Sequence, residues 1–256
     1  MKRLLTGLIL GPLIGYVVLW GPDYLFLGVL VAVAVLCFWE YSGLVAACGV
    51  ARPGPLGYVA GLLVLLFPHD PFLLLVVAAL LALTLVLGSE NLACGLPRAG
   101  ALLLGVVYIF GSLRFTTALR MKSPYWLFFA LALSWLGDTA AYCAGKAIGR
   151  HKLAPRISPA KSWEGAVASV VASLIFGWIY LAKLMPQVPL AESLALTVAG
   201  NVAGQLGDLA ESALKRGAGV KDSGNLVPGH GGWLDRLDAN LFGVPAVYAL
   251  LSLLGR

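Results

Sequence analysis

Charged and hydroxyl side chains gather in one stretch near the carboxyl end of the chain. The stretch contains Asp208, Glu211, Ser212, Lys215 and Arg216, and it continues as KDSGNLVPGHGGWLDRLD over residues 221–238. If residues 208–215 are helical, the carboxylates, the hydroxyl and the lysine share a face, because helix positions three, four and seven apart lie on one side. Carboxylate oxygens bind Mg²⁺, and the metal together with cationic side chains neutralises phosphates. These residue types predict nucleotidyl transfer, which requires no covalent nucleophile.

Glycines flank His230 on both sides in the second half of this stretch. Glycine permits a positive φ or a close approach of the backbone to a ligand. A helix is expected from Trp233 onwards, with Asp235 and Asp238 on one face because they are three residues apart. His230 is a candidate hydrogen-bond donor to phosphate. The alternative is structural, since Asp and Arg at loop edges often form ion pairs that only tie helices together.

A second polar block, GDTAAYCAGKAIGRHKLAPRISPAKSWEG, covers residues 137–165 between two apolar segments. Its five cations are Lys146, Arg150, Lys152, Arg156 and Lys161. From Ser158 to Glu164, hydroxyls, a cation and a carboxylate stand at the start of a predicted helix, whose free N–H groups favour bound anions. The pattern predicts a phosphate site that includes Lys161 and Ser162. The same cations could instead hold the loop on acidic lipid, at about 1 kcal/mol each.

Two carboxylates lie inside apolar segments. Asp138 stands near the end of one such segment, where an ionisable group is costly unless it meets water, a cation or a metal, so a functional role is favoured. Glu40 carries the same cost within residues 24–48, where Tyr41 and Ser42 are its polar neighbours. A hydrogen-bonded structural carboxyl is an equally good interpretation of Glu40, and no role is assigned to it.

The composition is that of a chain that spans a membrane repeatedly. Hydrophobic residues make up 60% of the chain and charged residues 12%, whereas roughly 25% charged residues are typical of soluble domains. Apolar runs that approach or exceed the length of a membrane helix occur at nine places. They are Leu4–Trp20, Tyr24–Cys48, Leu56–Phe67, Phe72–Leu87, Ala99–Leu113, Tyr125–Cys143, Trp163–Met185, Leu190–Leu206 and Ala239–Leu254. The sequence predicts an all-α, polytopic membrane protein with about nine transmembrane helices.

The predicted helices form a single membrane domain over residues 1–256, with a catalytic half at about residues 125–256. The segment Leu56–Phe67 is short enough to be re-entrant or tilted. If Lys2 and Arg3 are cytoplasmic, nine crossings place both polar loops in the cytoplasm as well. Arg114, Arg120 and Lys122 then fall on the opposite side, which requires a miscounted segment or side chains that reach the headgroups from a helix end.

The polar stretch also matches a longer pattern. Residues from Ser212 to Asp238 fit S-x-x-K-R-x4-K-D-x-G-x-x-x-P-x-H-G-G-x-x-D-R-x-D with every spacing intact. This pattern resembles the signature of the phosphatidate cytidylyltransferases, also called CDP-diacylglycerol synthases. The upstream ISPAKSWEG resembles the family's ISPKKTWEG-type segment, with Ala160 and Ser162 at positions that often hold Lys and Thr.

The resemblance implies transfer of a cytidylyl group from CTP to phosphatidic acid, giving CDP-diacylglycerol and pyrophosphate. It also implies dependence on Mg²⁺, with K⁺ as a candidate second cation, and a homodimer in the membrane lipids.

The family's metal carboxylates fall on Asp208 and Asp235. The candidate catalytic residues are Asp208, Asp235, Lys215, Arg216 and Lys221. The candidate substrate-binding residues are Lys161, Ser162, Ser212, Asp222, His230, Arg236, Asp238 and Asp138. The expected location is a bacterial inner membrane with the site facing the cytoplasm, and no nucleic acid is expected as a partner.

Two other classes of function remain open at this point. CTP-dependent phosphorylation of a polyprenol, or cytidylyl transfer to an archaeal-type ether lipid, would combine a membrane fold with the same nucleotide. A transporter or channel could use Glu40, Asp138 and Arg114 along a path through the bilayer. Against the transporter, the charges concentrate at one predicted membrane face.

Overall fold

Helices account for most of the chain. The computed structural model describes residues 2–67, 71–88, 92–226 and 231–256. The helices are α1 (Lys2–Leu19), α2 (Asp23–Ala47), α3 (Gly54–Leu66), α4 (Pro71–Thr84), α5 (Gly95–Gly105), α6 (Ser112–Lys122), α7 (Pro124–Ile148), α8 (Trp163–Leu184), α9 (Leu190–Gly217) and α10 (Leu234–Leu253). Short 3₁₀ turns at Leu85–Gly88 and Leu92–Cys94 follow α4, and a π-helical turn at Val106–Gly111 joins α5 to α6.

All nine predicted apolar segments fall on helices, to within a few residues at their ends. Among the described residues, four helical stretches are long and apolar enough to cross a membrane: Asp23–Ala47, Leu92–Lys122, Pro124–Ile148 and Trp163–Leu184. The helices α3 and α4 are apolar but short. Polar side chains such as Asn201 lower the hydropathy of α9, and α10 begins with charged residues. The prediction of a helical membrane protein is therefore confirmed.

One β-hairpin interrupts the helical pattern between α7 and α8. Strand β1 (Lys152–Ala154) pairs antiparallel with β2 (Ser158–Ser162), in a register that places Lys152 opposite Ser162 and Ala154 opposite Ser158. The all-α prediction did not include this hairpin. It lies within the second polar block and ends at Ser162, which immediately precedes α8.

The chain forms two compact units, each assembled from three segments. The first unit consists of Met1–Pro12, Gly21–Arg114 and Leu214–Arg236, and the second consists of Leu13–Trp20, Phe115–Ala213 and Leu237–Arg256. The single membrane domain and its catalytic half at about residues 125–256 stay predictions.

Small residues allow the helices of the first unit to pack closely. Ala60, Ala78, Ala82 and Ala99 belong to a buried cluster that α3, α4 and α5 share with the π-helical turn. The ring of Phe110 lies directly over Gly61, so closely that a Cβ there would collide with it. The rings of Phe38 and Phe110 are 5.3 Å apart, which links α2 to the same core. This packing fixes the position of α2.

Aromatic rings and a polar seam hold the second unit together. The rings of Phe129 on α7 and Tyr180 on α8 are stacked at 5.9 Å. On α9, the buried Asn201 amide donates to Ser169 Oγ at 2.9 Å and to Ser173 Oγ at 2.8 Å. In an apolar environment such hydrogen bonds satisfy polar groups that water cannot reach. These hydrogen bonds join α9, which carries Asp208, to α8, which begins just after Lys161 and Ser162.

Arg114, Arg120 and Lys122, which the predicted topology places outside the cytoplasm, bind backbone carbonyls. Arg114 donates to the carbonyls of Val64 at 2.6 Å and Phe67 at 2.7 Å, where α3 ends. Arg120 donates to Val18 O at 3.1 Å near the end of α1, and Lys122 donates to the carbonyl of Arg256. Cations favour helix carboxyl ends because carbonyls there lack helical partners.

Candidate active site

Asp235 is the centre of a hydrogen-bonded network in the first unit. Its Oδ1 lies 2.5 Å from the ammonium of Lys215, and both side chains are nearly buried, at 6% and 10% exposure. Its Oδ2 accepts from the N–H groups of Gly232 at 2.8 Å and Ser223 at 3.0 Å. The hydroxyl of Ser223 lies 3.0 Å from the same oxygen. These contacts join the end of α9, the loop after it and the start of α10.

The local backbone explains how Asp235 reaches this position. The carboxylate stands in the first turn of α10, where the helix dipole favours a negative charge. Gly231 has a φ of +78°, as the glycine pattern predicted, and a Cβ there would lie 2.6 Å from Asp235 Oδ2. Glycine is therefore required for the loop to fold back over the carboxylate.

The pKa of Asp235 is lower than that of an ordinary aspartate. Burial alone would raise it, but the hydrogen bonds from Lys215 and Gly232, the Lys215 charge and the Ser223 N–H together outweigh burial. Asp235 is therefore a carboxylate at neutral pH. With four donors around it, this side chain organises the loop, and Oδ1 retains a lone pair for a further ligand.

A second carboxylate supports the same loop from α2. Glu40 is 2% exposed, and its oxygens accept from Trp233 N at 3.0 Å and Leu234 N at 2.8 Å. Ser223 Oγ lies 3.0 Å from Glu40 Oε2. The sequence left Glu40 without a role because its partners are more than 180 residues away. The signal available in the sequence was the energetic cost of a carboxylate inside an apolar helix.

The other candidates in this part of the chain are more exposed. Arg216 is exposed and donates to Val220 O at 3.1 Å. Lys221, Asp222 and Arg236 are also exposed, so they are accessible to ligands. His230 lies outside the described residues.

Lys161 and Asp208 form an ion pair in the second unit. Lys161 Nζ is 2.6 Å from Asp208 Oδ2, and the two side chains are 26% and 28% exposed. Ser212 Oγ lies 3.4 Å from Asp208 Oδ1, one helical turn along α9. The structure thus joins three sequence-predicted residues, from the hairpin and from α9, in a half-exposed cluster.

Ser162, which the sequence assigned to a phosphate site, caps the start of α8. Its backbone is extended, and its hydroxyl accepts from Gly165 N at 3.2 Å. Glu164 in the first turn accepts from the backbone N–H of His151 and lies 2.7 Å from the His151 Nδ1 atom. Ser162 is buried and already used as a cap, which makes Lys161 the better ligand-binding residue of the two.

Acidic side chains crowd around Asp238 in the second unit. Burial raises the pKa of Asp238 well above its ordinary value, and the charges of Asp208, Glu211 and Asp138 raise it further. Asp238 precedes the apolar part of α10, which begins at Ala239. Carboxylates crowded in this way favour a bound cation, because a cation relieves their repulsion.

These residues fit the way Mg²⁺ is usually held, although they do not form a metal cage. Within residues 2–67, 71–88, 92–226 and 231–256, no group of three or more His, Cys, Asp or Glu side chains could hold a metal. Mg²⁺ commonly binds through one or two carboxylates together with substrate phosphates and water. Asp208 is the more available ligand, since the hydrogen bond that its Oδ1 accepts from Ser212, the one found within the described part of the chain, is long at 3.4 Å.

Comparison with known proteins decides the family. The sequence profile of the cytidylyltransferase family matches residues 1–254. The chain belongs to the cytidylyltransferase family. It is 40% identical to the phosphatidate cytidylyltransferase of Bacillus subtilis over 179 residues, which is 69% of this chain and 66% of that protein. It is 35% identical to proteins of the same name from Staphylococcus saprophyticus over 75% of this chain and 76% of that protein, and from Staphylococcus aureus over 79% and 80%.

In this cytidylyltransferase, the Lys215–Asp235 pair lies in the first unit and the Lys161–Asp208 pair lies in the second. In the first unit, Lys215 and Asp235 meet as neighbours, and Arg216, Lys221 and Asp222 stand exposed close to them in sequence. In the second unit, Lys161, Asp208 and Ser212 meet. The roles given to these residues stay predictions.

Proposed function

We infer that this chain is a phosphatidate cytidylyltransferase, an enzyme that converts CTP and phosphatidic acid into CDP-diacylglycerol and pyrophosphate in phospholipid biosynthesis. The observation that carries this conclusion is the family match over residues 1–254, together with several relatives of that name at 35–40% identity. The chain is a membrane protein with helices long and apolar enough to cross a bilayer, which gives it direct access to a lipid substrate.

The reaction is an in-line displacement at phosphorus. An oxygen of the phosphatidic acid phosphate forms a bond to the α-phosphorus of CTP, and the bond to the β-phosphate bridging oxygen breaks as pyrophosphate leaves. The lipid phosphate is already anionic near neutral pH, so no general base is needed. The protein's contribution is to position two anions and neutralise the charge between them.

Cationic side chains supply much of that neutralisation. Lys215, Arg216, Lys221 and Arg236 hold phosphates on one side, and Lys161 holds either the lipid phosphate or the triphosphate. Lys161 and Lys215 are each paired with a carboxylate, which keeps the ammonium in place before a substrate binds. His230 and Ser212 position phosphate oxygens, and Asp138, Asp222 and Asp238 complete the polar surroundings.

Mg²⁺ would be held by Asp208 and Asp235, with K⁺ as a candidate second cation, and would supply neutralisation of the phosphate charge. The available Oδ1 of Asp208 and the carboxylate crowding around Asp238 support this assignment. Asp235 would hold the metal with the carboxylate that also pairs with Lys215.

The proposed topology has about nine crossings, with the amino terminus and both polar loops in the cytoplasm of a bacterium. CTP is made in the cytoplasm, so the site must open to that side of the inner membrane. The proposed assembly is a homodimer, as the family resemblance implies.

Product analysis tests the reaction. Purified protein receives Mg²⁺, phosphatidic acid and CTP labelled at the α-phosphorus, and the products are separated. Label in a CDP-lipid with unlabelled pyrophosphate supports cytidylyl transfer. In a parallel reaction, a polyprenol replaces phosphatidic acid. Label in free CDP together with a phosphorylated polyprenol would establish a CTP-dependent kinase instead.

A further inference from the structure

We propose that Glu40 is a positioning residue, which holds residues 223–224 and 232–234, on either side of the Lys215–Asp235 pair, in the conformation that presents Asp235 and Lys215 to the substrates. Glu40 itself touches neither substrate in this proposal; it acts through the backbone to which Asp235 is attached. The inference about catalysis rests on the proposed function, whereas the inference about the loop rests on contacts alone.

The contacts of Glu40 converge on the start of α10. The first N–H groups of a helix lack partners within the helix, and Glu40 accepts from two of them, at Trp233 and Leu234. A helix start is usually capped by a side chain a few residues away in sequence. Here the cap comes from α2, so the first residues of α10 are held by a helix that is distant in sequence.

Ser223 connects Glu40 to Asp235. Its hydroxyl oxygen lies 3.0 Å from Glu40 Oε2 and 3.0 Å from Asp235 Oδ2, while its N–H donates to Asp235. The hydroxyl has one proton, so it donates to one of the carboxylates at a time. A change at Glu40 therefore alters the hydrogen bonding of Asp235 without any direct contact between the two acids.

Two glycines make room for the Glu40 carboxylate. A Cβ on Gly224 would lie 2.5 Å from Glu40 Oε1, and a Cβ on Gly232 would collide with Glu40 Oε2 and with the Ser223 hydroxyl. The backbone of the loop therefore lies directly against the carboxylate on both sides. This close fit explains the requirement for glycine at these two positions of the signature.

The neighbours of Glu40 on α2 have different partners. Tyr41 donates to Ala101 O at 2.8 Å, and Ser42 donates to Phe38 O at 2.7 Å. Of these three consecutive polar residues, Glu40 alone contacts the loop among the described residues. A carboxylate buried in an apolar helix is costly. The N–H groups of Trp233 and Leu234 offset that cost, together with the Ser223 hydroxyl when it donates to Glu40.

The test compares Glu40→Gln with Tyr41→Phe, which removes a different tertiary hydrogen bond from the same helix. In Glu40→Gln one oxygen becomes an NH₂ group, which cannot accept from Trp233 or Leu234. The first measurement is hydrogen exchange of peptides covering residues 223–236 in full-length protein without substrates. We expect Glu40→Gln to accelerate exchange there by roughly tenfold, with Tyr41→Phe unchanged.

The second measurement is the Mg²⁺ concentration that gives half-maximal activity. Glu40→Gln should raise it several-fold at an unchanged melting temperature, because the carboxylate of Asp235 is less well oriented. Ser223→Ala should move both readouts in the same direction by smaller amounts, which keeps the proposal testable if Glu40→Gln does not fold.

The outcomes separate the two inferences. Unchanged exchange in the loop for both Glu40→Gln and Ser223→Ala would overturn the proposal, as would a rise in exchange spread evenly over all helices. Faster loop exchange with an unchanged Mg²⁺ requirement would overturn the positioning role. If wild-type protein lacks cytidylyltransferase activity, the proposed function fails, and the exchange data still decide whether Glu40 holds the loop.

Discussion

At the residue scale, each of the two ion pairs places a lysine beside a carboxylate. The sequence identified Lys161, Asp208, Lys215 and Asp235 as candidates because ammonium and carboxylate groups suit phosphate and Mg²⁺ chemistry. It could not pair them, since helical spacing placed Lys215 on the face of Asp208, whereas its ion pair is with Asp235, 20 residues later. It also left Glu40 open, because the partners that satisfy this carboxylate come from the far end of the chain.

Asp235→Asn tests the most connected of these residues. The amide keeps the size of the side chain but removes the charge opposite Lys215 and replaces one acceptor oxygen with a donor. We expect a fall in cytidylyl transfer on the order of a hundredfold or more. The measurement is Mg²⁺-dependent conversion of labelled CTP into lipid. His230→Ala should lose less activity, and a folded Asp235→Asn protein with near-normal activity would contradict the role given to Asp235.

Lys161→Ala tests the second ion pair. Removal of the ammonium leaves Asp208 without its partner at 2.6 Å and removes a phosphate ligand. Because hydrogen bonds to charged groups contribute about 1.5–3 kcal/mol, kcat/KM should fall by about ten- to hundredfold. Lys183→Ala, at the other end of α8, is the matched control and should remain within about twofold of wild type. Equal losses in both variants would show that Lys161 has no special role.

At the element scale, the sequence predicted the helices but not the structures at the ends of α7 and α10. Hydrophobic runs identified the helices, among them α8 from Trp163, because this signal is local. The hairpin at β1 and β2 depends on pairing across a turn within a polar, strongly basic segment that lacks an alternating apolar pattern. The cap of α10 depends on a contact with α2, which no local pattern reveals.

Gly232→Ala tests the loop between α9 and α10. The added methyl group would collide with Glu40 and Ser223, and overpacking of this kind costs about 1–3 kcal/mol. We expect a lower melting temperature and loss of most cytidylyl transfer. Gly217→Ala is the matched control, since a Cβ there meets nothing within 4 Å. If Gly232→Ala matched the control in both measurements, the close packing of the loop against Glu40 would be wrong.

At the scale of the whole molecule, composition alone predicted a helical membrane protein. The predicted segments correspond to helices because apolar runs of this length have few other stable structures in a bilayer. The two units were not predictable, since each is assembled from segments far apart in the chain. The number of crossings depends on short or polar helices such as α3 and α9, for which hydropathy is a weak guide.

Cysteine labelling tests the proposed topology. After replacement of the four native cysteines, Lys152→Cys and Gln187→Cys place single thiols at exposed positions at the two ends of α8. In intact spheroplasts, an impermeant maleimide should label the Gln187→Cys protein, and it should label the Lys152→Cys protein only after permeabilisation. The reverse pattern would invert the orientation, and equal labelling would indicate that α8 does not cross the membrane.

The most direct test of the function is pyrophosphate release by purified protein supplied with CTP and Mg²⁺, with and without phosphatidic acid. Cytidylyl transfer predicts that release depends on the lipid and that one CDP-diacylglycerol forms for each pyrophosphate. The assignment would be contradicted if pyrophosphate were released at the same rate without the lipid. It would also be contradicted if folded, membrane-inserted protein released no pyrophosphate when the lipid is supplied.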